Sequence, residues 1–429
     1  MTRSTVAHGT ILALVLAACS CLPAPAETVP RSINDIITLA LKQSAELSAL
    51  EKEADAQQSL AIQAGTGNNP TLELQGSTGS LTGSPEEHAV SIGINQEFSL
   101  HGKLRLRREA GQREAEALRH QRDNSARLLK DEVSTLGLDY LLASKRQVLA
   151  MDLIALNREL VSVAEERFKA GDIPELERNL AKVELIRAES RQLEIEREKI
   201  PLRIKIASLT GLKEADNIIL SDTFSAPPGS PIPQDAVKMA LASRPDLHAV
   251  ARERDKAEIE QRLADVEALP NLTAGLFVQW QHASTELGSM SASSSDTQLG
   301  LRLSMPIPVF DRNRGGQAAA RARLNAADSR RLALERSITA EVQAAVSRLS
   351  ASERILALFE RGIIPQLQEN LKLTQEAYRI GEIGILSVIN EQKKFFEVND
   401  GYLSAQHSTR VASIKLESAV ATELTGGAQ

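Results

Sequence analysis

Histidines, cysteines and paired carboxylates are the side chains that could give this chain a metal centre or a reactive site, and their spacing provides neither. The seven histidines (His8, His88, His101, His120, His248, His282 and His407) are spread along 429 residues, with no two at the short interval of a transition-metal motif. Both cysteines, Cys19 and Cys21, precede residue 27, so the remainder has neither a disulfide nor thiolate chemistry to offer. No nucleophile elbow, phosphate loop or Asp-rich calcium loop is present. Neither a metal ligand, a cofactor site nor an enzyme is therefore expected, and any function must lie in the architecture.

That architecture is written twice. "FKAGDIPELE" at 168–177 is answered by "YRIGEIGILS" at 378–387, with Phe168 against Tyr378, Gly171 against Gly381, Ile173 against Ile383 and Leu176 against Leu386. In both stretches a long helical pattern runs into a glycine, which marks the tip of a helical hairpin. Near the start, "DIITLALKQSAELSALEKEAD" at 35–55 matches "DAVKMALASRPDLHAVARERD" at 235–255. The Pro-rich "SAPPGSPIP" at 225–233 separates the copies and suits a linker. The expected organisation is a first repeat over 31–224 and a second over 234–427.

Ahead of the repeats, Arg3, an apolar run from Ile11 to Ala18 and "APA" at 24–26 form a signal peptide over 1–26, too short to span a bilayer. "LAAC" at 16–19 also matches a lipobox, so two starts stand side by side: cleavage after Ala26, or acylation of Cys19. Composition fits a globular exported chain, with 42% hydrophobic and 25% charged residues. The 50 basic and 56 acidic residues are mixed, for a net charge of -6, without the basic block of a nucleic-acid binder.

Within each repeat the hydrophobic period changes from helical to two and back. Leu72 and Leu74, then Val90, Ile92 and Ile94, alternate within 70–98. Leu272, Ala274, Leu276, Val278 and Trp280, then Leu299, Leu301, Leu303 and Met305, do so within 270–306. Four strands in two hairpins are predicted, with "SLTGSPEE" and the Ser-rich "HASTELGSMSASSSD" at 282–296 as solvated loops. A helix of about 100 Å should follow the first hairpin, because no proline occurs from Lys103 to Lys169. Its seam of Leu129, Val133, Leu136 and Tyr140 recurs as Ile338, Val342, Ala345 and Leu349, while Gly362 and Pro365 should bend the second long helix. Each returning helix is expected to stop at "LTG", at 209–211 and 424–426. The strands suit either a soluble sheet or a barrel wall with lipid outside. Four cannot close a barrel, so the second case requires several chains.

The duplicated layout, together with "PNLTAGL", "MPIPVFDRNRG" at 305–315, "LHGKLRLRREA" at 100–110, "RFKAGDIPELE" and "AYRIGEIG", resembles the TolC-like outer membrane factor family over roughly 31–427. The chain is most similar to its CzcC-like heavy-metal efflux branch. That resemblance implies a mainly α fold with a β-barrel part: a homotrimer whose twelve strands form one outer membrane barrel, continued by a helical periplasmic tunnel. It also implies a periplasmic adaptor and an inner-membrane RND-type pump as partners. Arg167, Gly171, Asp172, Arg379, Gly381 and Glu382 would form the adaptor-docking tips. Carboxylates that family members carry at the tunnel mouth are replaced by Ser387 and Asn390, leaving Glu177 and Glu391 as charged candidates. The cargo would be a divalent heavy-metal cation such as cobalt, zinc or cadmium, with a drug or a secreted protein as the alternative. A periplasmic adaptor or coiled-coil scaffold is disfavoured by the duplication.

Overall fold

The computed structural model describes residues 32–81, 86–212, 220–222, 224, 235–287 and 290–422. The signal segment with Cys19, the 225–233 linker and "LTG" at 424–426 lie outside them. Each half begins with a broken helix. Helix α1 (Ile33–Gln43) and α2 (Ala45–Ala64) meet at Ser44, whose hydroxyl caps the amide of Leu47. Helix α5 (Ala236–Ser243) and α6 (Pro245–Glu267) meet at Arg244, where the proline opens the second segment. Each half's opening helix is thus interrupted once, at equivalent places.

Strands β1 (Thr71–Thr78) and β2 (His88–Phe98) form the first hairpin; β3 (Leu272–Leu287) and β4 (Met290–Ser304) form the second. Together they make one antiparallel sheet in the order β1-β2-β3-β4. The Ser-rich 282–296 stretch is not a loop as expected. It continues the ladder, with Ser284 opposite Ser293 and Thr285 opposite Ala292. Small hydroxyl side chains satisfy a two-stranded ribbon in water as well as they do a loop, and the sequence pattern did not separate the two.

Helix α3 (Lys103–Ala170) runs 68 residues to the first tip, and α4 (Glu175–Thr210) returns to Gly211, whose φ of 67° ends it. In the second half α7 (Arg314–Leu358) passes through a π-helical turn at Phe359–Ile363 into α8 (Ile364–Arg379). The expected bend therefore takes the form of one widened turn immediately before Pro365, which has no amide to give. Helix α9 (Ile385–Val420) returns and ends at Ala421, φ 56°, short of the predicted "LTG".

Two equivalent cores hold these helices. Ile36, Ala40, Val133, Leu136, Tyr140 and Ile206 form the first; Ala236, Ala240, Val342, Ala345, Leu349 and Leu416 form the second. No helix among the described residues is long and apolar enough to cross a membrane.

Candidate functional site: barrel wall and helical tips

Register sorts the sheet into two faces. Leu72, Ile94, Leu276 and Leu301 lie on one rung; Leu74, Ile92, Val278 and Leu299 lie two residues further on. Seven of these side chains are exposed, from Ile92 at 39% to Leu299 at 78%, and Val278 is half-buried, so one face is apolar and largely uncovered. From Leu272 to Trp280 it extends about 27 Å along the strand, or about 21 Å along the axis of a barrel whose strands tilt by about 40°, most of the apolar band of about 25 Å in outer membrane barrels. Phe98 and Trp280 lie on this face. Phe277, opposite Gly93 and Gly300, is on the other.

The opposite face is polar and concave. Arg302 on β4 donates to Glu73 Oε2 on β1 at 2.8 Å, and Asn95 on β2 donates to the same oxygen at 2.7 Å. A flat sheet would hold β1 and β4 at least about 14 Å apart, so the ion pair requires strong curvature. Phe277 fits under it: a Cβ on Gly300 would stand 2.3 Å from the Phe277 ring, and the Arg302 guanidinium lies 5.3 Å above that ring. Apolar residues outside and polar residues inside are the arrangement of a barrel arc whose lumen holds water. Both hairpin turns lie at the end away from the helices.

At the other end of the molecule the tips share one construction. Asp172 N–H donates to Arg167 O at 2.9 Å and Gly171 N–H to Phe168 O at 3.0 Å; Glu382 to Ala377 and Gly381 to Tyr378 repeat the pair at 2.9 and 3.0 Å. Gly171 at φ 84° and Gly381 at φ 85° close each turn in the left-handed region. One core of Leu160, Ala164, Ile173, Tyr378, Ile385 and Val388 joins them.

The six predicted docking residues divide. Gly171, Asp172, Arg379, Gly381 and Glu382 are exposed at the ends, with Arg379 paired to Glu376 at 2.6 Å. Arg167 is turned inward onto the second tip, donating to Tyr378 O at 3.0 Å with its guanidinium 5.0 Å over the Tyr378 ring. It therefore bridges the two hairpins within one chain. Of the mouth candidates, Ser387 and Asn390 are exposed, and Glu391 pairs with Lys394 at 3.5 Å. Glu177 is half-buried, with Oε2 shielded from solvent and unpaired, close enough to Tyr378 for its charge to act on the phenol. Burial raises the Tyr378 pKa, Arg167 opposes the rise and Glu177 adds to it. The sequence reading missed Leu176 and Leu386, at equivalent positions just beyond each tip and 68% and 61% exposed. Their repetition was the available signal.

The "Outer membrane efflux protein" family model matches residues 36–212 and again 236–422. The chain belongs to the outer membrane efflux protein family. It is 23% identical to the cobalt-zinc-cadmium resistance protein CzcC of Cupriavidus metallidurans, over 90% of this chain and 89% of that one. It is 25% identical to the pyoverdine export outer membrane protein OpmQ of Pseudomonas putida, over 90% and 85%. The nickel-cobalt-cadmium resistance protein NccC of Alcaligenes xylosoxydans xylosoxydans is 26% identical over 64% of this chain. The fold matches CusC with a TM-score of 0.73 at 17% identity, covering 91% of this chain and 92% of that one. VceC of Vibrio cholerae gives 0.71 at 17%, covering 91% and 96%. This efflux protein is accordingly a channel of the outer membrane, with a periplasmic helical tunnel, and not an enzyme.

Proposed function

We propose that three copies close into one twelve-stranded channel that passes divalent heavy-metal cations, delivered by an RND-type pump through a periplasmic adaptor docked at the tips. Incompleteness of the single chain carries the reading. Strands β1 and β4 are both free edges of an apolar sheet, a state that lipid does not tolerate. The helices are unfinished in the same sense. Leu176, Ile186, Leu193 and Ile204 form an exposed seam on α4, and Leu332, Leu358 and Leu373 one along α7 and α8. Joining the β1 edge of one copy to the β4 edge of the next pairs both edges in a closing ring, and helices brought side by side by the same rotation would cover these seams.

A cationic cargo is supported by the wall. No Lys or Arg occurs between Glu53 and Gly102, or between Leu263 and Leu301. Among the described residues of the sheet's polar face Arg302 is the one cation and pairs with Glu73; Asp296 and Glu97 are further carboxylates there, Glu97 at the helix end where Lys103 and Arg107 also act on it. Local negative potential raises cation concentration in a pore without a tight site that would slow release. Similarity to the pyoverdine exporter favours a second reading, in which the cargo is a small organic molecule.

Deletion of the gene with complementation separates the two. Lost resistance to cobalt, zinc and cadmium with unchanged tolerance of organic toxicants supports cation efflux; the reverse pattern supports the second reading. At the N-terminus, acylation of Cys19 is the proposed start, and mass spectrometry showing an unmodified chain beginning at Glu27 refutes it.

A further inference from the structure

We propose that His88 and His282 form a two-imidazole site for a divalent transition-metal cation at the outer end of the barrel wall. The two residues are direct register partners on the last rung that β2 shares with β3, and their rings are stacked with centroids 5.2 Å apart and planes 26° apart, so rotation about the side-chain torsions is needed to turn both nitrogens onto one ion. Two imidazoles bound tetrahedrally to one metal at about 2.1 Å per nitrogen place their ring centroids about 5 Å apart. His282 Nδ1 lies 2.7 Å from Ser295 Oγ on β4. In the tautomer protonated at Nδ1 it donates to that hydroxyl, which orients the ring and leaves the Nε2 lone pair free for a metal.

A second histidine pair supplies the contrast. His120 on α3 and His248 on α6 have ring centroids 5.4 Å apart, so distance alone does not choose between the pairs. The settings differ. His120 lies among charges of both signs, Asp123, Arg252 and Glu116, with Arg252 3.5 Å from Glu116, and His248 Nε2 is 3.0 Å from Ala242 O. Around His88 and His282 the strands carry no Lys or Arg, and Glu87 adjoins His88. Among the described residues no three His, Cys, Asp or Glu side chains gather into a metal site. Water must therefore complete the coordination at His88 and His282, which makes for a weak, rapidly exchanging site on the outward-facing side of the wall, two residues beyond Val90 and Trp280. Nitrogen ligation by two imidazoles favours Cu²⁺ over Ni²⁺, Zn²⁺ and Co²⁺.

The inference goes beyond the transport reading, because binding is measured on purified protein whatever the pump delivers. Cu²⁺ is titrated into the full-length, detergent-solubilised assembly and the bound ion examined by pulsed electron paramagnetic resonance. One Cu²⁺ per chain with two equatorial imidazole nitrogens is expected. His88→Asn and His282→Asn should each remove that signal, and the His120→Asn/His248→Asn double variant should keep it. A parallel measurement needs no variant: Zn²⁺ should protect His88 and His282 of the native protein from diethyl pyrocarbonate. A two-imidazole signal that survives the His88→Asn/His282→Asn double change, one lost in the other double variant, or absence of Zn²⁺ protection overturns the proposal.

Discussion

In the first half α3 covers the distance from wall to tip as one 68-residue helix, whereas the second half covers it with α7, a π turn and α8. The π turn sets Phe359 beside Gly401, where a Cβ would stand 3.2 Å from its ring, and 6.2 Å from Tyr402. Single π turns interrupt the regular ladder and often accompany function. The duplicated parts are thus joined differently: the first hairpin is one continuous rod, and the second has an interruption about two-thirds of the way down. The junctions at the upper end differ too. Ser44 makes one capping hydrogen bond, while buried Arg244 contacts Asp246 at 2.7 Å, Glu341 at 2.6 Å and Ala419 O at 3.3 Å.

Where the halves are alike they should respond alike. Ile206 and Leu416 occupy equivalent positions in the two cores and are 1% and 0% exposed. Ile206→Ala and Leu416→Ala should each cost about 2 to 5 kcal/mol, through lost burial and a residual cavity. Chemical unfolding of the solubilised protein checks this, and a cost in one core alone would show that the repeats do not share a packing plan.

Those cores were legible because an apolar seam on a helix leaves a period in the sequence, and Ile338, Val342, Ala345 and Leu349 kept the register of the first copy. The two faces of the sheet were legible for the same reason, since alternation at Leu72, Leu276 and Leu301 is a direct trace of the pleat. Three features left no such trace. Serines at 282–296 serve a ribbon and a loop equally. His88 and His282 meet only through strand pairing, at a separation no spacing rule examines. Arg167 reads as a surface charge at a tip until the second tip is folded against it.

The junctions should respond unequally. Arg244→Ala leaves Asp246 without its partner in a side chain 19% exposed, and should cost about 2 to 3 kcal/mol, below the full penalty for a buried pair because Glu341 is 48% exposed. Ser44→Ala removes one cap and should cost about 1 kcal/mol. Equal losses in unfolding experiments would remove the distinction drawn between the two upper junctions.

At the tips, Gly171→Val and Gly381→Val place a β-branched residue at positive φ, for about 1 to 2 kcal/mol each. Gly171 has open space around it, and Gly381 has Arg167 within 3.5 Å of a new Cβ. Overall stability should therefore change little, while cross-linking to the adaptor and metal resistance fall in the double variant. Normal cross-linking with normal resistance would make the tips ordinary turns.

The smallest expected effect is on pH dependence. Burial lowers the His120 pKa and the nearby His248 lowers it further, so the folded state binds fewer protons there than the unfolded state. Stability should decline as pH falls through the ordinary histidine range near 6.5. His120→Asn should flatten part of that slope in thermal scans between pH 7.5 and 5.5; an unchanged slope would mean that the pair carries no linkage.

The account rests on one chain being an incomplete arc of a pore. Light scattering of the detergent-solubilised protein, with conductance of the same sample in a planar bilayer, measures this directly. A particle of three chains that conducts as a single pore is the predicted result. A monomer that stays soluble without detergent and passes no current would contradict it.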